Sequence, residues 1–208
     1  QQTFSLSLVL MILLSHQATA QTGTSFFNPN FLKVIASIET FNNGKFYPIG
    51  TGFVVQTPNK HVALVTAKHV VQDENGKILP NIVYRLNEEK GKSQVFPTTY
   101  PPKYIDTLNH GWFFSNSYDL ACRLIVFNET SDFLPADTAN YLSSKSLEVG
   151  ANVLVLGFPL GLRSEEYPRP LVRQGIVAGI EPNSIILDAF IFPGNSGGPV
   201  LYSPVLKI

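Results

Sequence analysis

From residue 26 onward the chain alternates short β-branched or aromatic runs with turn residues at intervals of about ten, the punctuation of an all-β protein. Residues 31–40 predict a strand that ends at Asn42-Asn43-Gly44-Lys45, a hairpin-type turn. Residues 50–56 and 61–66 predict two more, joined through Thr57-Pro58-Asn59-Lys60. Residues 82–87 and 93–96 flank Glu88-Glu89-Lys90-Gly91 in the same way. No window after residue 20 sustains a 3.6-residue period, so any helices should be short.

A Pro- and aromatic-rich stretch, 97–118, then interrupts the series. Pro101-Pro102 and the clustered Tyr100, Tyr104, Trp112, Phe113 and Phe114 predict an ordered loop packed on a barrel rather than a free linker. A strand is expected over 119–127, and the polar segment 128–146 is the best candidate for a domain connection. Runs at 151–157, 171–178, 184–189 and 199–202, each bounded by Gly or Pro, form a second set of strands. The expected organisation is residues 1–20 as a signal peptide, 21–130 as a first unit, and 131–208 as a linker with a second.

Composition narrows the classes. With 208 residues, 44% hydrophobic and 14% charged, the chain can bury one or two sizeable cores and is neither disordered nor coiled coil. Lys plus Arg and Asp plus Glu are equal at 15 each, which gives no electrostatic reason to expect nucleic acid or an anionic membrane as partner. Residues 4–14 are uncharged, mostly apolar and too short to span a bilayer, and Ala18-Thr19-Ala20 is a small-x-small cleavage pattern. This reads as an export signal cut after Ala20, for a secreted or periplasmic protein without a stable membrane anchor. Its basic start is missing, and the expectation is a clipped N-terminus. The single cysteine, Cys122, permits no internal disulfide and sits in a strand-like run as a small buried hydrophobe.

The candidate chemistry centres on Gly194-Asn195-Ser196-Gly197-Gly198-Pro199. A serine hydroxyl is a weak nucleophile unless a base, a sharp turn and nearby backbone N–H groups assist it. The glycines could supply the turn and a close approach of substrate to the backbone. For the base, His69 in Thr66-Ala67-Lys68-His69-Val70-Val71 stands where a strand ends, rigid yet exposed, and imidazole changes charge near neutral pH. A lone histidine is more often a surface or core residue; His16, His61 and His110 are read that way. Asp119, in Tyr118-Asp119-Leu120-Ala121, is a carboxylate at the head of an apolar strand. It needs a partner there, and a histidine N–H is one. The plain alternative is a strand-capping aspartate, and Asp73, Asp106 and Asp132 are weaker candidates for the same role.

Taken together and in order, these residues resemble the trypsin-like serine proteases, in particular their HtrA/Deg-like branch. Gly50-Thr51-Gly52-Phe53-Val54-Val55 is similar to the strand before the histidine, and Gly157-Phe158-Pro159-Leu160-Gly161 to the family's Gly-x-Pro-x-Gly loop. The His69, Asp119 and Ser196 motifs and Gln174-Gly175-Ile176-Val177 complete the series, which spans most of the chain after residue 20. The resemblance implies an all-β, chymotrypsin/trypsin-like double β-barrel with the active site between barrels. It implies His69 as base, Asp119 as its orienter, Ser196 as nucleophile, and an oxyanion hole from the N–H groups of Gly194 and Ser196. It implies protein or peptide substrates and neither cofactor nor metal; oligomeric state is left open. Phe190 would lie near the base of the specificity pocket, against a preference for Lys or Arg, unless it is merely core. Val70 and Asn195 depart from the animal digestive pattern, which has there a disulfide cysteine and the aspartate that pairs with a new N-terminus.

Two other readings compete with this one. Gly194-Asn195-Ser196-Gly197-Gly198 also fits the Gly-x-Ser-x-Gly elbow of serine esterases, whose acid and histidine follow the serine. Only twelve residues follow Ser196 and none is Asp, Glu or His, so that reading fails within this chain. The other is a catalytically impaired, protease-like binding domain, suggested by the expectation of a second barrel truncated at Ile208, which would leave strand edges open. Asn128-Glu129-Thr130 is a glycosylation sequon that matters only in a eukaryotic source.

Overall fold

The computed structural model describes residues 27–98, 111–137, 141, 146–164 and 166–203. The export segment, His110 and most of the 97–118 loop lie outside these. Two sheets carry the fold. In the first, β1 (Ile35–Asn42) forms a hairpin with β2 (Lys45–Gln56), and β3 (Val62–Thr66) follows on the far side of β2. β4 (Ile82–Glu88) pairs with the free side of β1 and β5 (Lys92–Pro97) with β4. β6 (Trp112–Phe114) and β7 (Ala121–Leu124) extend the other edge, giving the order β5-β4-β1-β2-β3-β7-β6. The short β8 (Ala136–Asp137) lies parallel to the end of β2. The second sheet has the order β11-β10-β9-β12, from β9 (Asn152–Gly157), β10 (Leu171–Glu181), β11 (Ser184–Ala189) and β12 (Val200–Tyr202).

Local chemistry explains most of these boundaries. Asn43 and Gly44 both take positive φ, 49° and 76°, as a two-residue primed turn requires. β2 begins five residues earlier than its apolar pattern suggested. Pro48 is accommodated because the β1–β2 register slips between Ile38 and Glu39, and a proline is tolerated at a bulge. The strand expected from residue 31 starts instead at Ile35. Pro29–Val34 is a 3-10 turn, with Pro29 at its start and the Asn28 side chain accepting from the Asn30 N–H at 3.0 Å. Part of the expected aromatic loop is strand β6, whose Trp112 is buried under the first sheet.

The apolar alternation sorts the side chains into three clusters. Ile38, Val54, Leu64, Ile82, Tyr84, Leu86 and neighbours fill the interior of the first sheet. Val153, Val155, Val177 and Val200 do so for the second. Between them, Phe53, Val55, Ala63 and Val65 of the first sheet meet Leu156, Phe158 and Leu201 of the second. β2 and β3 thus face one core with even-numbered residues and the other with odd ones, so a slip of one residue would empty both. This shared middle core fixes β2, β3 and β9 relative to one another, and the candidate site is built at the middle of β2 and the C-terminal ends of β3 and β9.

Candidate active site

Directly after β3, Lys68–Val71 forms a single helical turn, α1. Val70 and Val71 are buried and anchor it, while the His69 side chain stays 51% exposed. Gly50 leaves the space that Val70 fills: a Cβ added there would come within 2.5 Å of the valine side chain. Asp119 arrives from the β6–β7 connection. The Ser115 hydroxyl accepts from the N–H of Ser117 and Tyr118, at 3.3 and 3.1 Å, and the Ser115 N–H donates to the Leu120 carbonyl at 2.9 Å. Lys68 closes the same turn through its ammonium on the Ser115 carbonyl at 2.5 Å. One Asp119 oxygen lies 2.5 Å from His69 Nδ1, and the other accepts from the His69 backbone N–H at 3.0 Å. The carboxylate therefore holds both the ring and the turn that carries it, and Nε2 has no hydrogen bond among the described residues.

The Ser196 turn is docked on β2 by one threonine. Buried Thr51 donates from its N–H to the Ser196 carbonyl at 2.9 Å and from its hydroxyl to the Gly194 carbonyl at 2.6 Å. The same hydroxyl accepts from the Phe158 N–H at 3.1 Å, and the Thr51 carbonyl accepts from the Thr66 hydroxyl at 2.8 Å. Gly197, at φ 82°, has no room for a side chain: an added Cβ would strike Thr66, the Thr51 carbonyl and the backbone nitrogen of Ala67. The serine turn is thereby pressed against the two residues that precede the His69 turn. Asn195 is buried, at 2% exposed, beside Gly157, so the side chains of Ser196 and its neighbour diverge and Ser196 remains half-buried at the surface.

The backbone N–H groups around Ser196 divide into used and unused ones. Pro193 accepts from the Leu160 N–H at 2.6 Å, and in a planar trans peptide the C=O and the following N–H point opposite ways. The Gly194 N–H is thus directed away from the 157–161 loop. The N–H groups of Asn195 and Gly198 are used within the turn, on the carbonyls of Phe192 and Asn195. Those of Gly194 and Ser196 have no partner among the described residues. Gly194 sits at φ 97°, and an added Cβ would collide with the Phe158 carbonyl.

The structure therefore joins His69 to Asp119 directly and sets the Ser196 turn beside them. Among the described residues the Ser196 hydroxyl makes no hydrogen bond to His69, a contact that is often long before substrate binds. Phe190 follows β11 and is 77% exposed. Of the weaker carboxylates, Asp106 lies outside the described residues, Asp73 caps its own turn through the N–H groups of Asn75 and Lys77, and Asp132 pairs with Lys33 at 2.6 Å. Ser196 is followed by strand β12 rather than a helix, so the strand–turn–helix elbow of the esterase reading is not formed. Thr51 and Thr66 do not stand out in the sequence as site residues. The available signal is a hydroxyl flanked by two glycines in an otherwise apolar strand. A separate cleft of about 830 Å³, lined in part by Glu88, Lys90, Asp132, Tyr167 and Arg169, includes none of His69, Asp119 or Ser196.

Residues 50–203 match the trypsin-like peptidase domain family. The chain belongs to that family. This trypsin-like domain is also 37% identical, over 86 residues, to the serine protease Do-like HtrA of Bacillus subtilis (strain 168), a match covering 35% of this chain and 18% of that protein. Among solved structures, an HtrA-type protease, AlgW, with a tripeptide aligns with TM-score 0.52 and 20% identity, over 86% of this chain and 51% of the other. The chain thus spans about half of that structure's length and about a fifth of the Bacillus protein's. The HtrA-like resemblance and the trypsin-like all-β fold expected from the motifs are both borne out.

Proposed function

We propose that this trypsin-like domain is a serine endopeptidase that cleaves peptide bonds through Ser196, His69 and Asp119. The observation that carries the reading is the double hold of Asp119 on His69, on Nδ1 at 2.5 Å and on the backbone N–H at 3.0 Å, next to the docked Ser196 turn. With Nδ1–H committed to the carboxylate, Nε2 is the basic nitrogen. It takes the Ser196 proton as Oγ attacks the scissile carbonyl, and the resulting imidazolium is stabilised by Asp119. The tetrahedral oxyanion receives the unpartnered N–H groups of Gly194 and Ser196; one such donor is typically worth about 10² to 10³ in turnover. His69 then protonates the leaving amine, and water, activated by the same nitrogen, releases the acyl group from Ser196.

Substrates are proteins or peptides held in extended form across the Ser196 turn. Phe190, exposed and six residues before the nucleophile, is assigned to substrate contact, and it favours apolar over cationic side chains. Export through residues 1–20 would bring the enzyme outside the cytoplasm; among the described residues no helix is long and apolar enough to cross a membrane. The test is hydrolysis of an unfolded protein such as casein by the full-length chain. Activity that disappears in Ser196→Ala supports the proposal, and equal activity in that variant contradicts it.

A further inference from the structure

Glu39, in the middle of β1, is fully buried and lies at the bulge in the β1–β2 register. Its carboxylate accepts from Arg85 on β4 through Nε at 2.9 Å and Nη2 at 3.0 Å, a forked arrangement that already compensates the charge. A second guanidinium, that of Arg163, also reaches Glu39, with Nη2 at 3.0 Å and its side chain only 4% exposed. Burying another cation carries a desolvation cost that a fully paired Glu39 does not require. What the second arginine adds is a tie between the first sheet and the loop that leaves β9.

That loop contains a disfavoured backbone. Leu160 has φ 56°, in the left-handed region that a residue with a Cβ avoids. Its side chain is 63% exposed, so burial does not account for the conformation. The gain lies in its N–H, which makes the 2.6 Å bond to the Pro193 carbonyl and so turns the Gly194 N–H away from the loop. A backbone outlier persists only where its surroundings over-determine it. On one side Phe158 is buried and bonded to Thr51, and Gly161 packs on Pro48. On the other side, the Arg163 link to Glu39 closes the loop.

We propose that the Glu39–Arg163 ion pair positions the oxyanion donor: by fixing the 158–163 loop it holds the Pro193 carbonyl on Leu160 and keeps the Gly194 N–H available to substrate. This rests on the reading of Ser196 as nucleophile. Released from Leu160, the Pro193–Gly194 peptide can rotate, which withdraws the N–H and presents a carbonyl oxygen where negative charge must develop. Arg163 is a positioning residue and touches no substrate.

The test uses the full-length protein with Arg163→Met, in which Glu39 keeps Arg85, and with Arg163→Lys, which keeps the charge but not the planar guanidinium. Three quantities are compared with wild type: the rate of fluorophosphonate labelling, the affinity for a peptide aldehyde that forms a tetrahedral adduct, and the affinity for the matching peptide amide. In Arg163→Met, labelling slows and aldehyde affinity falls by about 10- to 100-fold, as for a competent population of about 10% to 1%, while amide affinity is unchanged. Arg163→Lys falls between. Wild-type labelling in Arg163→Met, or equal losses for aldehyde and amide, would overturn the proposal. If Arg163→Met does not fold, Arg163→Lys decides alone: slowed labelling with unchanged amide affinity supports the pair, and a wild-type rate contradicts it. A wild-type protein that is not labelled at all would overturn the Ser196 reading itself, and the ion-pair proposal with it.

Discussion

The Thr51 hydroxyl donates to the carbonyl oxygen of Gly194 at 2.6 Å, across 143 positions of sequence, and accepts from the Phe158 N–H at 3.1 Å. Through these two bonds one buried side chain of the first sheet holds both halves of the serine site from the second. Its backbone N–H adds a third link, to the Ser196 carbonyl.

Thr51→Val keeps the shape and removes the hydroxyl, leaving the Gly194 carbonyl and the Phe158 N–H unpaired. At about 1 to 3 kcal/mol for each of the two unsatisfied groups, the expected loss is about 2 to 6 kcal/mol, read from urea unfolding. Peptide hydrolysis falls as well, because the Gly194 peptide loses its support. Thr51→Ser restores both, and a Val variant as stable as wild type would show that the hydroxyl is not the tie.

Asp119→Asn replaces the acceptor of the His69 Nδ1–H with an amide. The imidazole is then held in the wrong tautomer or not held at all, and kcat is expected to fall by about 10⁴ with the fold retained. Steady-state hydrolysis of a peptide substrate checks this, with circular dichroism as the control for folding. Near-normal turnover would mean that another carboxylate orients the base.

The order of the motifs makes much of this site legible in the sequence, and the reasons are physical. Asn43-Gly44, Lys90-Gly91 and the glycines around Ser196 mark backbone conformations that few other residues accept, so they read as turns from local composition alone. The paired His69 and Asp119 stand out because each heads or ends an apolar run. Less visible is what tertiary contact decides. The 3-10 turn over Pro29–Val34 is apolar enough to pass for strand, and Trp112 to Phe114 becomes strand only because β7 offers a free edge. Nothing local in the sequence announces that Glu39, Arg85 and Arg163, far apart along the chain, meet in a buried cluster.

Burial decides the chemistry of Cys122, which lies half-covered on β7 and whose thiol is pushed up from its ordinary value by desolvation. Thiolate is the reactive form, so the folded protein should react with iodoacetamide more slowly than the urea-unfolded chain at the same mildly alkaline pH. Equal rates would place Cys122 in solvent.

Tyr84 sets an alkaline limit. Its hydroxyl donates to the Val126 carbonyl at 2.7 Å and accepts from the Val126 N–H at 3.0 Å, and burial pushes its pKa up to about 12. The folded state thus favours the neutral phenol more than the unfolded chain does, where the ordinary value is 10.0. The stability this contributes is complete below pH 10 and is lost as pH rises from about 10 to about 12. Tyr84→Phe should flatten the decline in stability over that interval; an unchanged slope would assign the alkaline transition to another group.

The central claim is that His69, held by Asp119, makes Ser196 a nucleophile. Fluorophosphonate labelling of the full-length protein, located by peptide mass spectrometry, tests it most directly. The account predicts a single adduct on Ser196, absent in Ser196→Ala and strongly slowed in His69→Ala. An adduct on another residue, or labelling that persists in Ser196→Ala, would contradict it.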